Sequence, residues 1–268
     1  MSVKLSAVLV AHNEAAQLAD CLETVRFADE IVVVLDRCTD DSAAIARRFT
    51  PRVLEGAWEL EGPRRMAGLG AATGDWILEI DADERVSPEL AAEIRGAIAA
   101  APFGYFKVPV ANHVGGRWVR HGWGAYNGVS ATPRLSARGA KRWGDQLVHP
   151  KLALAGTAMW LEQPLVHYVD RDFADMLERM NRNTSARARD LVASGDIGRL
   201  APNLRRVLTR FFKSYVQRRG YREGATGLML GLFAGLYPLI SYLKARELKS
   251  RASAPPHPPA APPTAPRP

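Results

Sequence analysis

The sequence predicts an α/β fold built on a mostly parallel sheet, followed by a helical extension that is both basic and apolar. Three observations carry that expectation. Three β-rich runs, at residues 5–10, 30–35 and 76–80, each end in a polar cluster. Between them, apolar residues recur at helical spacing, and alternating strand and helix is the pattern of a parallel sheet. From residue 199 the composition shifts: up to residue 251 twelve basic residues stand against two acidic ones, whereas the whole chain carries a net charge of +8.

The first strand, 5–10, ends at Ala11-His12-Asn13-Glu14. Residues 2–10 include Lys4 and run straight into these polar residues, which is not the pattern of a secretory signal. Leu18, Leu22 and Val25 mark a helix. The second strand, 30–35, ends in Asp36-Arg37-Cys38-Thr39-Asp40-Asp41. Ile45, Ala46 and Phe49 mark another helix, stopped by Pro51, and a third runs through Arg64, Met66 and Leu69 to Ala72. Gly74 and Asp75 supply a turn. The third strand, 76–80, closes on Asp81-Ala82-Asp83-Glu84. Ligands of open α/β sheets bind outside the carboxyl ends of the strands. Asn13, Asp36 and the Asp81/Asp83 pair are therefore expected along one edge. Two aspartates one residue apart can share a hard divalent cation, with Ala82 leaving room for it. Mg²⁺ commonly takes one or two carboxylates plus substrate phosphates. A D-x-D standing alone reads equally as a helix cap or a solvated turn.

Ser87 and Pro88 open the next helix as cap and first-turn residue. Leu90, Ile94 and Ile98 form its buried stripe, and Pro102 and Gly104 end it. Residues 105–110 read as a strand. Residues 112–150 are rich in Gly, Trp, Arg and His and lack periodicity, as expected of loops and short strands. Trp118, Trp123 and Trp143 suit stacking on a ligand or anchoring a core; Arg117, Arg120 and Arg134 suit anionic groups or solvent. Residues 172–194 read as a long helix burying Leu177, Met180, Ala188 and Leu191, broken by 195–202. The run 225–243 carries no charge and lies between two basic clusters. It is just long enough to span a bilayer, but it holds Gly227, Gly231, Gly235 and Pro238. It reads as a peripheral or re-entrant docking helix, a core helix or a span. Its basic flanks suit an anionic leaflet, at about 1 kcal/mol per cation. No nucleic-acid motif accompanies the charge, so nucleic acid is not an expected partner. The Pro/Ala-rich residues 252–268 are expected to be disordered. Cys21 and Cys38 fit no zinc or disulfide framework.

In order and spacing, four blocks resemble the family 2 glycosyltransferases: Ala7-Val8-Leu9-Val10-Ala11-His12-Asn13-Glu14, Val33-Val34-Leu35-Asp36-Arg37-Cys38-Thr39-Asp40, Gly62-Pro63-Arg64-Arg65, and Ala72-Thr73-Gly74-Asp75-Trp76 with Asp81-Ala82-Asp83-Glu84. Asn112, Gly116-Arg117-Trp118, Arg120-His121-Gly122-Trp123, Arg134-Leu135, Val148-His149 and Leu165-Val166-His167-Tyr168 are similar to the branch containing lipopolysaccharide-core glucosyltransferases. The resemblance implies a GT-A fold, Rossmann-like, over residues 1–170, with a donor half at about 1–100 and an acceptor half at about 101–170. A membrane-associating extension, 171–251, would follow.

The same resemblance implies an inverting transfer of a hexose from a UDP-sugar to a lipopolysaccharide-core or other lipid-linked glycan, at the cytoplasmic face of a bacterial inner membrane with an anionic surface. The alternatives are a polyprenyl-phosphate sugar transferase and a non-catalytic sugar-nucleotide-binding scaffold. Asn13, Glu14, Asp36, Arg64 and Asp81 would bind the donor, and Asp81 and Asp83 a Mg²⁺ or Mn²⁺ ion. Asp145 would be the base, since an inverting transfer needs a group to take the acceptor proton. Arg120, His121, Trp123, Arg134, His149 and His167 would serve the acceptor or complete the metal shell. Leu35, Met66, Glu79 and Pro150 depart from the family pattern, at positions where an acid, an Asn, an apolar residue and a Glu are usual.

Overall fold

The computed structural model describes residues 2–123, 130–145 and 151–253. Strands β1 (Leu5–Ala11), β2 (Glu30–Asp36), β3 (Val53–Gly56) and β4 (Trp76–Asp81) are parallel and lie in the order β3-β2-β1-β4. Helices α1 (Ala15–Thr24), α2 (Ser42–Phe49) and α3 (Glu61–Ala71) make the crossovers. The three longer strands are almost wholly buried, which is why they read as continuous apolar runs instead of alternating ones. β3 has four half-buried or exposed residues and carries no such signal.

After the short β5 (Glu84–Arg85) and α4 (Pro88–Ala100), β6 (Gly104–Val114) continues the sheet. Ser87 Oγ accepts from Leu90 N and caps α4 as expected. β7 (Arg117–Trp118), β8 (Ala131–Ala137), β11 (Thr157–Trp160) and β12 (Leu165–Asp170) all join this half, and β9 (Lys141–Trp143) pairs with β10 (Leu152–Leu154). β8 is wedged antiparallel between β4 and β6. Sequence reading placed it in a region of loops and short strands without assigning it, because Pro133 and Arg134 interrupt its apolar run. The main core gathers the inner residues of β1, β2 and β4 with α1, α4, Phe106, Leu135 and Leu165.

Three helices follow: α5 (Phe173–Ala193), α6 (Leu200–Phe212) and α7 (Gly224–Ser253). A π-type turn, Lys213–Gln217, and a 3₁₀ turn, Gly220–Glu223, connect α6 to α7. A second core joins Val114 and Val119 of the sheet half to Met176 and Met180 of α5 and Leu230 and Phe233 of α7. The buried stripe of α5 is Met176, Met180, Thr184 and Ala188; the expected Leu177 is 55% exposed. The stripe is therefore one residue out of frame at its start. α7 packs against both α5 and α6, with Gly231 beneath Phe211 and Tyr215, and Gly235 beneath the Val207 carbonyl. By length and composition α7 could cross a membrane, but 44% of its most apolar stretch is buried inside the molecule.

Candidate active site

β1, β2 and β4 end together. Val10 pairs with both Val34 and Asp81, and Ala11 with Leu35. The chain leaves β1 and β2 through left-handed backbone at Asn13 (φ 57°) and Arg37 (φ 50°), a conformation uncommon outside glycine. Asn13 ties the two turns together, its Oδ1 accepting from Thr39 N at 2.7 Å. Glu14 N donates to Ser42 Oγ at 3.0 Å. Burial raises the Glu14 carboxyl above its ordinary value, and the charges of Asp83 and Asp40 push the same way against a hydrogen bond from Gln17.

Consecutive arginines of α3 reach two strand ends. Arg64 Nη1 lies 3.1 Å from Asp36 Oδ2, and Arg65 Nη1 lies 3.2 Å from Asp81 Oδ1. Asp36 also accepts from Trp58 N at 3.0 Å and from Arg37 Nε and Nη2 at 3.1 and 2.9 Å. Burial opposes its ionisation, yet these donors hold it below the ordinary carboxylate value. Both oxygens are in use, and one of the partners, Arg37, is 55% exposed.

The D-x-D turn separates its two acids by partner. Leu135 of β8 pairs with Leu78, which carries Arg134 toward the carboxyl end of β4. There Arg134 Nη2 bridges Asp81 and Glu84. Glu84 Oε2 accepts from Asp81 N at 2.9 Å. Burial pushes the Glu84 carboxyl up to about 7, against the pull of Arg134. Asp81 goes the other way: burial opposes ionisation, but Arg134 and Arg65 outweigh it and lower the carboxyl.

Asp83 faces β12 instead. The sheet register sets His167 opposite Asn112 on β6 and opposite Glu84 on β5. His167 Nδ1 lies 2.9 Å from Asn112 Oδ1, which can only accept. Nδ1 therefore carries the proton, and Nε2 points at Asp83 Oδ2, 3.3 Å away. Tyr168 N donates to the Asp83 carbonyl at 2.9 Å and fixes the turn. Burial disfavours a charged His167, but Asp83 more than compensates and raises its pKa. Asp83 Oδ1, Arg134 Nε and Arg64 Nε are buried with no hydrogen-bond partner among the described residues.

The arrangement fits a divalent cation at Asp83. A carboxylate with an unused oxygen stands beside an imidazole whose far nitrogen is already held, the usual support for a metal-bound histidine. Among the described residues no group of three or more His, Cys, Asp or Glu could hold a metal unaided. The remaining ligands would be the diphosphate and water, as Mg²⁺ prefers. The Asp81 carboxylate, expected to share the ion, is paired with Arg65 and Arg134, while Asp83 keeps one oxygen unpartnered beside His167.

Behind the turn, Glu79 is buried in β4 against Lys141 and accepts from Trp143 Nε1 at 3.0 Å. Arg65 lies over the Trp143 ring, 5.0 Å from its centroid. Trp143 is thus a structural partner of the site. Asp145, two residues on, is exposed and lines a cavity of about 570 Å³ with Pro63, Met66 and Trp143. His149 and Pro150 lie outside the described residues.

Arg120, His121 and Trp123 lie elsewhere. Glu223 Oε1 accepts from Arg120 N, His121 N and His121 Nδ1 at 2.9, 3.0 and 2.9 Å. Arg117 Nη2 adds a contact to Oε2 at 3.1 Å. Arg120 stacks on Trp118, and Trp123 packs on the second core with its Nε1 donating to the Val119 carbonyl. The polar partner shared by Arg120 and His121 is Glu223 of the C-terminal segment and that of Trp123 is the Val119 carbonyl; neither is the D-x-D turn. Sequence reasoning assigned no role to Arg65, Glu84 or Glu223. The first two stand inside the blocks that carry the resemblance, and Glu223 is one of only two acids between residues 199 and 251.

A profile of the family described as "Glycosyl transferase family 2" matches residues 6–153. An uncharacterized glycosyltransferase of Rickettsia felis is 26% identical over 264 residues, covering 92% of both chains. The lipopolysaccharide core biosynthesis glycosyltransferase LpsC of Rhizobium meliloti is 25% identical over 261 residues, covering 90% of this chain and 91% of its own. Among solved structures, mannosyl-3-phosphoglycerate synthase from Rubrobacter xylanophilus aligns with a TM-score of 0.37 and 24% identity over 41% of each chain.

Proposed function

The chain belongs to glycosyl transferase family 2, and on that premise we propose that it moves a hexose from a UDP-sugar to a lipopolysaccharide-core or other lipid-linked glycan with inversion. The likeness to LpsC along nearly the whole chain supports that acceptor class. The observation that carries the reading is the set of unpartnered buried atoms. Arg64 Nε, Arg134 Nε and Asp83 Oδ1 are buried without a hydrogen-bond partner among the described residues, as is Glu79 Oε2, which stays against Lys141, while native buried polar groups are nearly always paired. Two donors suit an anion and one acceptor suits a cation; a diphosphate with a divalent ion supplies both.

In this reading Arg64, Arg65 and Arg134 hold the diphosphate. Asp83 and His167 hold the cation, which would neutralise charge gathering on the leaving diphosphate. Asn13 and Glu14 shape the donor edge, and Asp36 receives the nucleoside once Arg37 swings out. Asp145, at the rim of its cavity, takes the proton of the acceptor hydroxyl. The lipid-linked acceptor would be met at an anionic cytoplasmic membrane surface. A thermal-shift screen of nucleotide sugars with Mg²⁺ or Mn²⁺ tests the proposal, because a ligand that binds only the native state raises the melting temperature. Stabilisation by UDP-sugars that requires a divalent ion is expected. Stabilisation by none of them overturns the donor assignment.

A further inference from the structure

We propose that α6, not the uncharged run 225–243, is the surface that seats this protein on an anionic membrane. The proposal deepens the reading of a lipid-linked acceptor and rests on it for its biological sense, but not for its geometry.

The orientation of α6 is fixed by its inner face. Asn203 and Ser214 are buried, the Val207 carbonyl sits on Gly235, and Phe211 sits on Gly231. Ser214 Oγ donates to the Gly122 carbonyl at 2.6 Å, which ties this segment to the sheet half. The outer face is apolar. Leu200, Leu204, Leu208 and Phe212 recur every four residues, so they form one row along the helix. Leu208 is 73% exposed and the others between 42% and 51%. Val216 and Tyr221 extend the exposed apolar set beyond the helix end. A row of large apolar residues this exposed, on a helix whose inner face is already packed, marks an interaction surface.

The neighbouring charge decides the partner. Arg205 and Lys213 lie one position along from Leu204 and Phe212, and Arg218, Arg219 and Arg222 follow within three turns. None of these five pairs with a carboxylate among the described residues. Glu223, the only acid between residues 197 and 246, is buried and committed to Arg117 and His121. An apolar row edged by unneutralised cations is the make-up of a helix lying in the interface of an anionic bilayer. By contrast, the run 225–243 lends Leu230, Phe233, Ala234 and Tyr242 to the interior.

The test uses the full chain and vesicles of phosphatidylglycerol and phosphatidylcholine. Wild type should cosediment with mixed vesicles and weaken at least tenfold on pure phosphatidylcholine. A triple variant, Leu204→Ser, Leu208→Ser and Phe212→Ser, should lose at least tenfold in vesicle affinity. Its melting temperature and its turnover of donor with a soluble acceptor should stay near wild type. A Leu208→Trp reporter should shift its emission to the blue only when anionic vesicles are added. Undiminished vesicle binding by the folded triple variant overturns the proposal. So does a reporter already blue-shifted without vesicles, which would mean that the row is covered by a second copy, if the shift depends on protein concentration, or by the chain itself, if it does not. Loss of donor turnover in wild type would instead overturn the proposed function and leave the vesicle result standing.

Discussion

Asp83 and Asp81 stand one residue apart but have different neighbours. Asp81 shares Arg65 and Arg134, and Asp83 turns to His167 with one oxygen unused. Asp83→Asn keeps the volume and removes the charge. It should leave the melting temperature of the apo protein nearly unchanged and abolish most metal-dependent turnover, measured as UDP release. Asn112→Ala is subtler. It removes the acceptor that fixes the His167 tautomer, so metal affinity should weaken by about 10–100-fold, the usual effect of losing such a support; titrating Mn²⁺ into the variant measures it. Asp145→Asn should lower turnover by about 10²–10⁴-fold with donor affinity preserved, as expected of a general base. Unchanged turnover would move the base to another carboxylate.

The elements explain why some of this was readable and some was not. β1, β2 and β4 announce themselves because strands buried on both faces must be apolar throughout, and the polar residues ending them can lie only at one edge. β8 hides because Pro133 and Arg134 break its pattern, although the sheet needs Arg134 at that register. The link between the sheet half and the helices hides for another reason. Glu223 meets Arg117 and His121 more than a hundred residues away in sequence, and no local pattern encodes such a contact. Burial works against an ionised Glu223, but His121, the Arg120 amide and Arg117 outweigh it and lower its pKa from the ordinary 4.5. A depressed carboxyl adds stability that is fully present above its unfolded value and disappears as pH falls through the lower folded value. The melting-temperature gap between wild type and Glu223→Gln should therefore be fully open well above the ordinary value of 4.5 and narrow as pH falls below it. Gly235→Ala tests the other seam: a Cβ there would lie 2.5 Å from the Val207 oxygen. A loss of about 1–3 kcal/mol in denaturant unfolding is expected from such overpacking.

At the scale of the whole molecule, one carboxyl edge of the sheet collects Asn13, Glu14, Asp36, Asp81 and Asp83, and two arginines of α3 and one of β8 close over it. The edge was legible from residue order, since three strands in parallel leave no other place for their ends. The partition of the two aspartates was not, because it depends on Arg134 and His167, which arrive on strands from the far half of the sheet. The basic C-terminal segment was legible as charge, but the helix that exposes its apolar residues was not, because exposure follows from how α7 packs on α5 and α6. The most direct measurement of the central claim is calorimetric titration of UDP into wild type and Asp83→Asn, each with Mn²⁺ and with EDTA. Wild type should bind UDP at least tenfold more tightly with Mn²⁺ than with EDTA, and Asp83→Asn should show no such gain. Equal affinity in Mn²⁺ and EDTA for the wild type, or a full Mn²⁺ gain in Asp83→Asn, would contradict a cation held at Asp83 for a diphosphate donor.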